Sequence, residues 1–226
     1  MPSEETAAEV HAAMTTLLAT RATAVAGGAE AVGWKIGINV VALQEHFGLD
    51  GPVVGYLSDA TVIEAGTPVD LTGWQRPMLE VEVAARVGPD GGLAALAPAL
   101  ELVDLDLPFE HIGPILEGNV FHRGVIFGPE RAGHGADVDL STLEVAVTRD
   151  AAVVATGSLT ETPARTIEVV RAFLEQHGGT LEPGQRIICG SLITPLPIEP
   201  GQQLEVDFGP LGSLTLMLRT NEASIR

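Results

Sequence analysis

The chain has 226 residues, and its 30 acidic residues outnumber the 12 basic ones, which gives a formal net charge of -18. A surface this negative repels nucleic acid and anionic membranes, so it excludes binding to a phosphate backbone as the main role. The 46% of hydrophobic residues and the 19% of charged residues indicate a folded domain and exclude a disordered chain.

Residues 1–50 are predicted to be rich in helix. Apolar residues recur at helical spacing from residue 4 to about residue 25, which predicts a helix that ends at two glycines. A strand is predicted over residues 32–38, and a short helix over residues 40–47 ends at the next glycine, Gly48. We interpret this region as a helical N-terminal cap on the rest of the chain.

From residue 51 onward, short runs of β-prone residues alternate with turn signals made of glycine and proline. The predicted strands cover residues 78–87, 100–105, 120–127, 143–147, 152–156, 187–188, 204–208 and 214–218. One helix interrupts them, with Thr162 as its predicted N-cap and Pro163 as its first residue. We interpret residues 51–226 as a β-rich catalytic core, so that the whole chain forms one compact α+β unit.

The cysteine content and the N-terminus indicate the compartment. The single cysteine, Cys189, excludes an internal disulfide bond and suits a reducing environment. The first residues are acidic and do not resemble a signal peptide, and no apolar run reaches the roughly 20 residues that cross a bilayer. We therefore expect a cytoplasmic protein.

Three glutamates on two predicted strands form a candidate metal site. Glu80 and Glu82 are two residues apart, so they share one face of their strand at a spacing of about 7 Å. Their neighbourhood is apolar, where two carboxylates repel each other unless a cation lies between them. Glu101, a lone carboxylate in the next apolar strand, would complete an oxygen-rich site of the kind that Mg²⁺ and Mn²⁺ prefer. The alternatives are a solvated polar face for the pair and an exposed edge position for Glu101.

A lysine between two glycines is the candidate for proton transfer. Residues 33–37 read Gly-Trp-Lys-Ile-Gly, and Lys35 is conspicuous in a chain with so few basic residues. A partly buried lysine can have a lowered pKa and act as an acid or a base. The alternative is a lysine on a strand whose ammonium group reaches the solvent.

Several segments together resemble one enzyme family. The Gly-Trp-Lys-Ile-Gly segment, the Glu80-x-Glu82 strand and the segment around Glu101 resemble the 2-keto-4-pentenoate hydratase and 4-oxalocrotonate decarboxylase family of the fumarylacetoacetate hydrolase superfamily. The Gly-Ser-Leu-Ile-Thr-Pro segment at residues 190–195 and the glycines after it are also similar to this family. The resemblance runs from about residue 15 to the end of the chain.

The resemblance implies a fold, a cofactor and a reaction. The fold is a fumarylacetoacetate-hydrolase-like β-roll core, and the cofactor is Mg²⁺ or Mn²⁺ held by Glu80, Glu82 and Glu101. The substrate is a small 2-oxo acid or 2-hydroxy-dienoate, and the enzyme is a lyase of the hydratase or decarboxylase type that acts through a metal-bound enolate. Lys35 is then the expected proton-transfer residue. A homo-oligomer is also implied, and association with a related pathway enzyme is consistent with the family.

The sequence departs from the family where the family handles protons. Val53 lies where hydratases carry a catalytic aspartate, and its side chain cannot move a proton. His122 and Arg123 replace small residues, and His122 is predicted to be either a substituted acid–base group or an ordinary core or surface histidine. These changes predict a diverged substrate. The residues expected to bind it are Asn119, Arg123, Ser191, Leu192 and Thr194.

Two other functions stay open at this point. Hydrolysis of a carbon–carbon bond in an acylpyruvate-like diketone needs a base that activates water, and a position of His122 close to the metal would favour it. A non-catalytic partner subunit of a related enzyme is favoured by the valine at position 53. The retention of Lys35 and of all three glutamates opposes this second alternative.

Overall fold

The computed structural model describes residues 2–132, 140 and 143–220. The α-helices in these residues are α1 (Glu4–Ala26), α2 (Val41–Phe47), α3 (Ile112–Glu117) and α4 (Pro163–Gln176). The strands are β1 (Ala31–Gly37), β2 (Val53–Ser58), β3 (Val69–Asp70), β4 (Pro77–Val87), β5 (Leu93–Asp104), β6 (His122–Phe127), β7 (Arg131–Ala132), β8 (Glu144–Arg149), β9 (Ala152–Ser158), β10 (Arg186–Ile188), β11 (Leu196–Pro197), β12 (Gln203–Asp207) and β13 (Ser213–Arg219). Short 3₁₀-helices cover Asp59–Thr61 and Gly209–Leu211.

The helix ends follow the signals in the sequence. Gly48 ends α2 in the left-handed conformation at a φ of 66°, which glycine adopts without strain. The Thr162 hydroxyl accepts a hydrogen bond from the Arg165 N–H at 3.3 Å, and Pro163 is the first residue of α4. The predicted C-cap of α2 is therefore confirmed, and so are the predicted N-cap and first residue of α4.

An eight-stranded sheet contains the candidate site residues. Its strands run in the order β2-β1-β10-β4-β5-β6, with β11 also paired to β4 and β7 to β5. The two longest strands, β4 and β5, pair antiparallel along their whole length. Strand β1 lies between β2 and β10, so residues 1–50 supply an interior strand of this sheet as well as helices. Strand β2, with a glycine in its middle, was not predicted.

A five-stranded sheet completes the architecture, with the strand order β3-β13-β12-β8-β9. Buried and exposed residues alternate along β12 and β13, so one face packs on the core and the other faces water. Strands β8 and β9, both predicted as strands, form an antiparallel hairpin. Its turn residues Asp150 and Ala151 have φ values of 52° and 61°, as a tight hairpin turn requires.

A single large hydrophobic cluster connects the helices to both sheets. It includes Met14 and Leu17 from α1, Val170 and Leu174 from α4, and Phe208 after β12, all of which are fully buried. Burying an aliphatic or aromatic side chain of this size contributes about 1.5–3 kcal/mol, so this cluster holds the two sheets together. Within the described residues, no helix is both long enough and apolar enough to cross a membrane.

Candidate active site

Three carboxylates meet on the paired strands β4 and β5. Glu80 lies directly opposite Glu101 in the antiparallel register, and Glu82 lies two residues further along the same face of β4. One oxygen atom from each side chain lies within 4.8 Å of the other two. Glu82 and Glu101 are fully buried, while Glu80 is half-buried. The register thus brings together the three glutamates that the sequence singles out.

Two carboxylate oxygen atoms of the cluster have no hydrogen-bond partner. Within the described residues, Glu82 Oε1 and Glu101 Oε2 are buried and have no hydrogen-bond partner. Glu82 Oε2 accepts the Gly190 N–H at 2.7 Å. A buried polar atom without a partner costs about 1–3 kcal/mol, and a divalent cation would satisfy both atoms at once. An oxygen-only set of donors fits the preference of Mg²⁺ and Mn²⁺.

Burial and crowding change the acidity of the three carboxyl groups. Burial, and next the charge of Glu101, raise the pKa of Glu80 to about 7. The same two causes, together with Glu80, raise the pKa of Glu82 well above its usual range. Burial acts in the same direction on Glu101, but Lys35 and His122 outweigh it and lower the pKa of Glu101. Glu80 and Glu82 therefore need additional positive charge nearby to stay ionised at neutral pH.

Lys35 lies in β1 against these carboxylates. Its side chain is 2% exposed, and its ammonium group donates hydrogen bonds to Glu101 Oε1 and to the Val120 carbonyl, the latter at 3.0 Å. Burial alone lowers the pKa of Lys35, but the charges of Glu101, Glu80 and Glu82 outweigh burial and raise it. The expectation of a lowered pKa is therefore wrong for this lysine, because three carboxylates oppose the effect of burial.

Two glycines make room for this arrangement. Gly55 in β2 is the register partner of Lys35, and a Cβ atom on Gly55 would lie 2.9 Å from Lys35 Cγ. A Cβ atom on Gly37 would lie 2.5 Å from Val120 Cγ1. Real Cβ atoms do not approach other atoms so closely, so both positions need glycine for steric reasons. Gly37 of the Gly-Trp-Lys-Ile-Gly segment thus allows the chain at Val120 to pack close to Lys35.

A left-handed turn presents the Val120 carbonyl to Lys35. Asn119, Val120 and Phe121 have φ values of 59°, 53° and 63°, a conformation that costs about 1–3 kcal/mol for a residue other than glycine. The Asn119 side chain holds the turn, since its oxygen accepts the Tyr56 N–H at 2.8 Å and its amide donates to the Tyr56 carbonyl at 2.9 Å. This turn explains why β6 begins two residues later than predicted. The contact of Asn119 with substrate stays a prediction.

His122 contacts Glu101 from β6. Its Nδ1 lies 2.7 Å from Glu101 Oε1, and its Nε2 lies 3.0 Å from Thr61 Oγ1. Burial lowers the pKa of His122, although Glu101 acts in the opposite direction. Both ring nitrogens are occupied, so the imidazole is fixed in orientation against the carboxylate. Thr61 was not predicted, and nothing in the surrounding sequence marks it.

A cavity of about 410 Å³ opens beside Lys35 and Glu80. Ser191 and Thr194, two of the residues predicted to bind substrate, line this cavity. The Ser191 hydroxyl donates to the Ile193 carbonyl at 2.9 Å. The segment after β10 therefore lines the cavity with these side chains. Its Gly190 N–H also donates a hydrogen bond to the carboxylate cluster. Gly190, shortly after the end of β10, is the sequence signal that indicates a turn in this segment.

The two other residues predicted to bind substrate have different surroundings. Arg123 forms an ion pair with Asp106 at 2.6 Å, and the Arg123 side chain is 34% exposed. Leu192 belongs to the hydrophobic core, and its N–H donates to the Val81 carbonyl at 2.7 Å. Neither belongs to the set of described residues that line the cavity. Their contacts with substrate stay predictions.

Comparisons with known proteins place this geometry in context. No protein-family model matches the chain. A 4-oxalocrotonate decarboxylase from a Pseudomonas species is 27% identical over 205 residues, which cover 83% of this chain and 78% of the relative. A 2-oxo-hept-4-ene-1,7-dioate hydratase from Escherichia coli is 27% identical over 216 residues, 84% of this chain and 80% of the relative. The solved structure of 4-oxalocrotonate decarboxylase from Pseudomonas putida G7, complexed with magnesium and adipate, matches with a TM-score of 0.80 and 23% identity, over 91% of this chain and 84% of that chain.

The chain has a fumarylacetoacetate-hydrolase-like fold, which it shares with the solved decarboxylase, and it carries a carboxylate cluster beside a buried lysine. Over most of its length, the chain is similar to 4-oxalocrotonate decarboxylases and to 2-oxo acid hydratases. The resemblance that the sequence motifs indicated is therefore confirmed by these relatives, and the strand-rich α+β fold with an N-terminal helix is confirmed as well.

Proposed function

We propose that this protein is a divalent-metal-dependent lyase of the hydratase or decarboxylase type, acting on a 2-oxo acid or a 2-hydroxy-dienoate. One observation carries the proposal. Glu82 Oε1 and Glu101 Oε2 are buried without a partner among the described residues, in a carboxylate cluster that adjoins Lys35 and the cavity. Relatives named as a decarboxylase and a hydratase support the reaction class.

Glu80, Glu82 and Glu101 would hold the Mg²⁺ or Mn²⁺ ion. When bound, the ion supplies Lewis acidity that stabilises negative charge developing on the 2-oxygen of the substrate. The protein contributes the fixed position of the three carboxylates, because β4 and β5 are paired on either side of them. The magnesium named in the structure of the Pseudomonas putida G7 decarboxylase supports this choice of ion.

Lys35 is the group that moves the proton. An ammonium group has three N–H donors, and the hydrogen bonds to Glu101 and to Val120 occupy two of them. The third is available to a ligand in the cavity that Lys35 lines. The ammonium can give a proton to the carbon next to the 2-oxo group, and the resulting amine can take one back. Val53 is buried in the core, so proton transfer in this chain does not involve an aspartate at that position.

We assign His122 to positioning, which revises its predicted catalytic role. Its Nδ1 holds Glu101 Oε1, and its Nε2 is bonded to Thr61, so it acts on the reaction through Glu101. Partners of a metal ligand in this position orient the ligand and tune its basicity. A histidine with both nitrogens occupied is also poorly placed to activate water, which weighs against a carbon–carbon hydrolase. The small-molecule substrate is part of the proposal, while a homo-oligomer, association with a related pathway enzyme and a cytoplasmic location stay predictions.

The proposal is tested by the melting temperature with Mg²⁺ or Mn²⁺, in the presence and absence of oxalate, a mimic of a 2-oxo acid enolate. A ligand at a hundredfold excess over its dissociation constant stabilises the folded state by about 2.7 kcal/mol. We expect oxalate to stabilise the parent only when the metal is present. The double variant Glu80→Gln/Glu82→Gln should lose both the stabilisation by the metal and the further stabilisation by oxalate.

A matched control comes from the five-stranded sheet. Glu205 and Asp207 are also two residues apart on a strand, but both are exposed on β12. The double variant Glu205→Gln/Asp207→Asn should keep the full response to metal and oxalate. A parent protein that responds to neither metal nor oxalate would rule out the proposed lyase and favour a non-catalytic subunit.

A further inference from the structure

The cavity beside Lys35 has an apolar far wall. Beyond Lys35 and Glu80, hydrocarbon side chains dominate the lining. They include Ile38, Val40, Leu43, Leu105, Phe109 and Phe121. Its other polar side chains, Asn39, Ser191 and Thr194, are neutral. Such a wall favours a ligand whose far end is also a hydrocarbon, because their contact removes the apolar surface of both the ligand and the wall from water.

The described residues that line the cavity include no cation besides Lys35 to pair with a second carboxylate. Among the described residues that line it, Lys35 carries the only positive charge, and this charge is bonded to Glu101. Three glutamates against one lysine and one divalent ion leave no excess of positive charge before a substrate enters. The chain as a whole carries a net charge of -18, which adds a repulsive field.

Two arginines lie near the cavity wall without lining the cavity. Arg123, which lies close in sequence to the wall residue Phe121, forms an ion pair with Asp106 at 2.6 Å. Arg76 lies over the ring of Phe109 at 5.8 Å from its centroid. Neither arginine is among the described residues that line the cavity. A second carboxylate at the far end would therefore lie against hydrocarbon and find no cation besides Lys35 among the described residues that line the cavity, which is unfavourable.

We propose that this site, if it is the 2-oxo acid site proposed above, selects 2-oxo monocarboxylic acids with an apolar tail over 2-oxo dicarboxylic acids. The near end of the substrate meets the carboxylate cluster and Lys35. The tail lies against the hydrocarbon side chains of the far wall. The discrimination comes from the cavity wall and is independent of whether the reaction is hydration or decarboxylation.

Two probes of equal chain length test this selectivity. 2-Oxohexanoate and 2-oxohexanedioate have six carbons each and differ by the terminal carboxylate. Their dissociation constants with Mg²⁺ present are measured by calorimetry on the full chain, with oxalate as a probe of the near end alone. We expect 2-oxohexanoate to bind at least about tenfold more tightly than 2-oxohexanedioate, because only the dianion places a second charge against a wall that offers it no cation.

A matched pair of substitutions sharpens the test. Val40 lines the cavity and is 54% exposed, so Val40→Arg places a cation at its mouth. Val41, its neighbour, is 65% exposed and is not among the lining residues, so Val41→Arg is the control. We expect Val40→Arg to tighten 2-oxohexanedioate binding about tenfold through a charge-assisted contact, while Val41→Arg leaves it unchanged. Oxalate binding should be the same in both variants.

The outcomes separate the two proposals. Oxalate binding with Mg²⁺, together with equal or tighter binding of 2-oxohexanedioate to the parent, would overturn the selectivity and leave the lyase proposal standing. Failure of oxalate and of both 2-oxo acids to bind in the presence of Mg²⁺ would overturn both proposals.

Discussion

The two sheets carry the same acidic pattern and bury it differently. In the five-stranded sheet, Glu205 and Asp207 flank the buried Val206 and face water. In the eight-stranded sheet, Glu80 and Glu82 have the same spacing, yet Glu82 is fully buried and Glu80 is half-buried. A pair of carboxylates two residues apart on a strand therefore indicates a shared face and does not indicate whether that face is solvated.

The difference comes from the segments that cover each face. Glu101 lies across from Glu80, Lys35 reaches the cluster from β1, and the Gly190 N–H reaches Glu82. These groups come from distant parts of the chain. Charges interact more strongly in such a poorly solvated environment than they do at an exposed face. The eight-stranded sheet thus holds the candidate active site, and the five-stranded sheet contributes mainly to the core.

The largest expected effect concerns Lys35 in the eight-stranded sheet. Loss of a proton-transfer residue lowers a rate by about 10²- to 10⁴-fold, so we expect Lys35→Met to slow solvent-deuterium exchange at C3 of 2-oxohexanoate by this factor. The exchange is followed by proton NMR in D₂O with Mg²⁺. Stabilisation by the metal should survive. Arg21→Met is the control, because Arg21 is a cation that lies over the ring of Trp34, the neighbour of Lys35. Unchanged exchange in Lys35→Met would contradict the assigned role.

The second prediction concerns the five-stranded sheet. Leu216 in β13 is fully buried, so Leu216→Ala should lower the free energy of unfolding by about 2–5 kcal/mol without weakening the affinity for Mg²⁺. The neighbouring Thr215 is exposed, and Thr215→Ala should change stability by less than about 0.5 kcal/mol. Urea denaturation measures the free energy of unfolding, and calorimetry measures the affinity for Mg²⁺. A loss of Mg²⁺ affinity in folded Leu216→Ala would show that metal binding in the eight-stranded sheet depends on packing in the five-stranded sheet.

A smaller effect is expected at His122. Removing the partner of a metal ligand lowers metal affinity or activity by about 10- to 100-fold, so His122→Ala should weaken Mg²⁺ binding within this range. His122→Gln can still donate to Glu101 and should restore part of the affinity. If His122→Ala slowed exchange while Mg²⁺ affinity stayed at the parent value, His122 would be a catalytic group instead of a positioning one.

The smallest predicted effect is a pH dependence that arises from the pKa of Glu80. Its folded-state value of about 7 lies above the ordinary 4.5, so the metal-free folded protein binds more protons than the unfolded chain between these values. The stability of the metal-free protein therefore falls as the pH rises through this window. Mg²⁺ displaces the proton, so the increase in melting temperature caused by Mg²⁺ should be larger at pH 8 than at pH 6. Glu80→Gln should weaken this dependence, and an equal increase at both pH values in the parent would contradict the prediction.

Much of the fold follows from local sequence. The helix with Thr162 as N-cap and the strands β8, β9 and β12 were predicted because spacing, caps and turn residues act over a few positions. The motif around Lys35 also indicated the kind of relatives to which the chain is similar. Strand β2 was missed because Gly55 weakens its local β signal, and its formation depends on pairing with β1.

By itself, the sequence determined which residues can act as acids, bases and ligands, and which of them share a strand face. The tertiary structure decided which carboxylates are buried, that Glu80 lies opposite Glu101, and that both nitrogens of His122 are occupied. It also decided that the pKa of Lys35 is raised. The physical reason is that burial and pKa depend on groups brought together by long-range pairing of β1, β4, β5 and β6, and periodicity along the chain carries no information about that pairing.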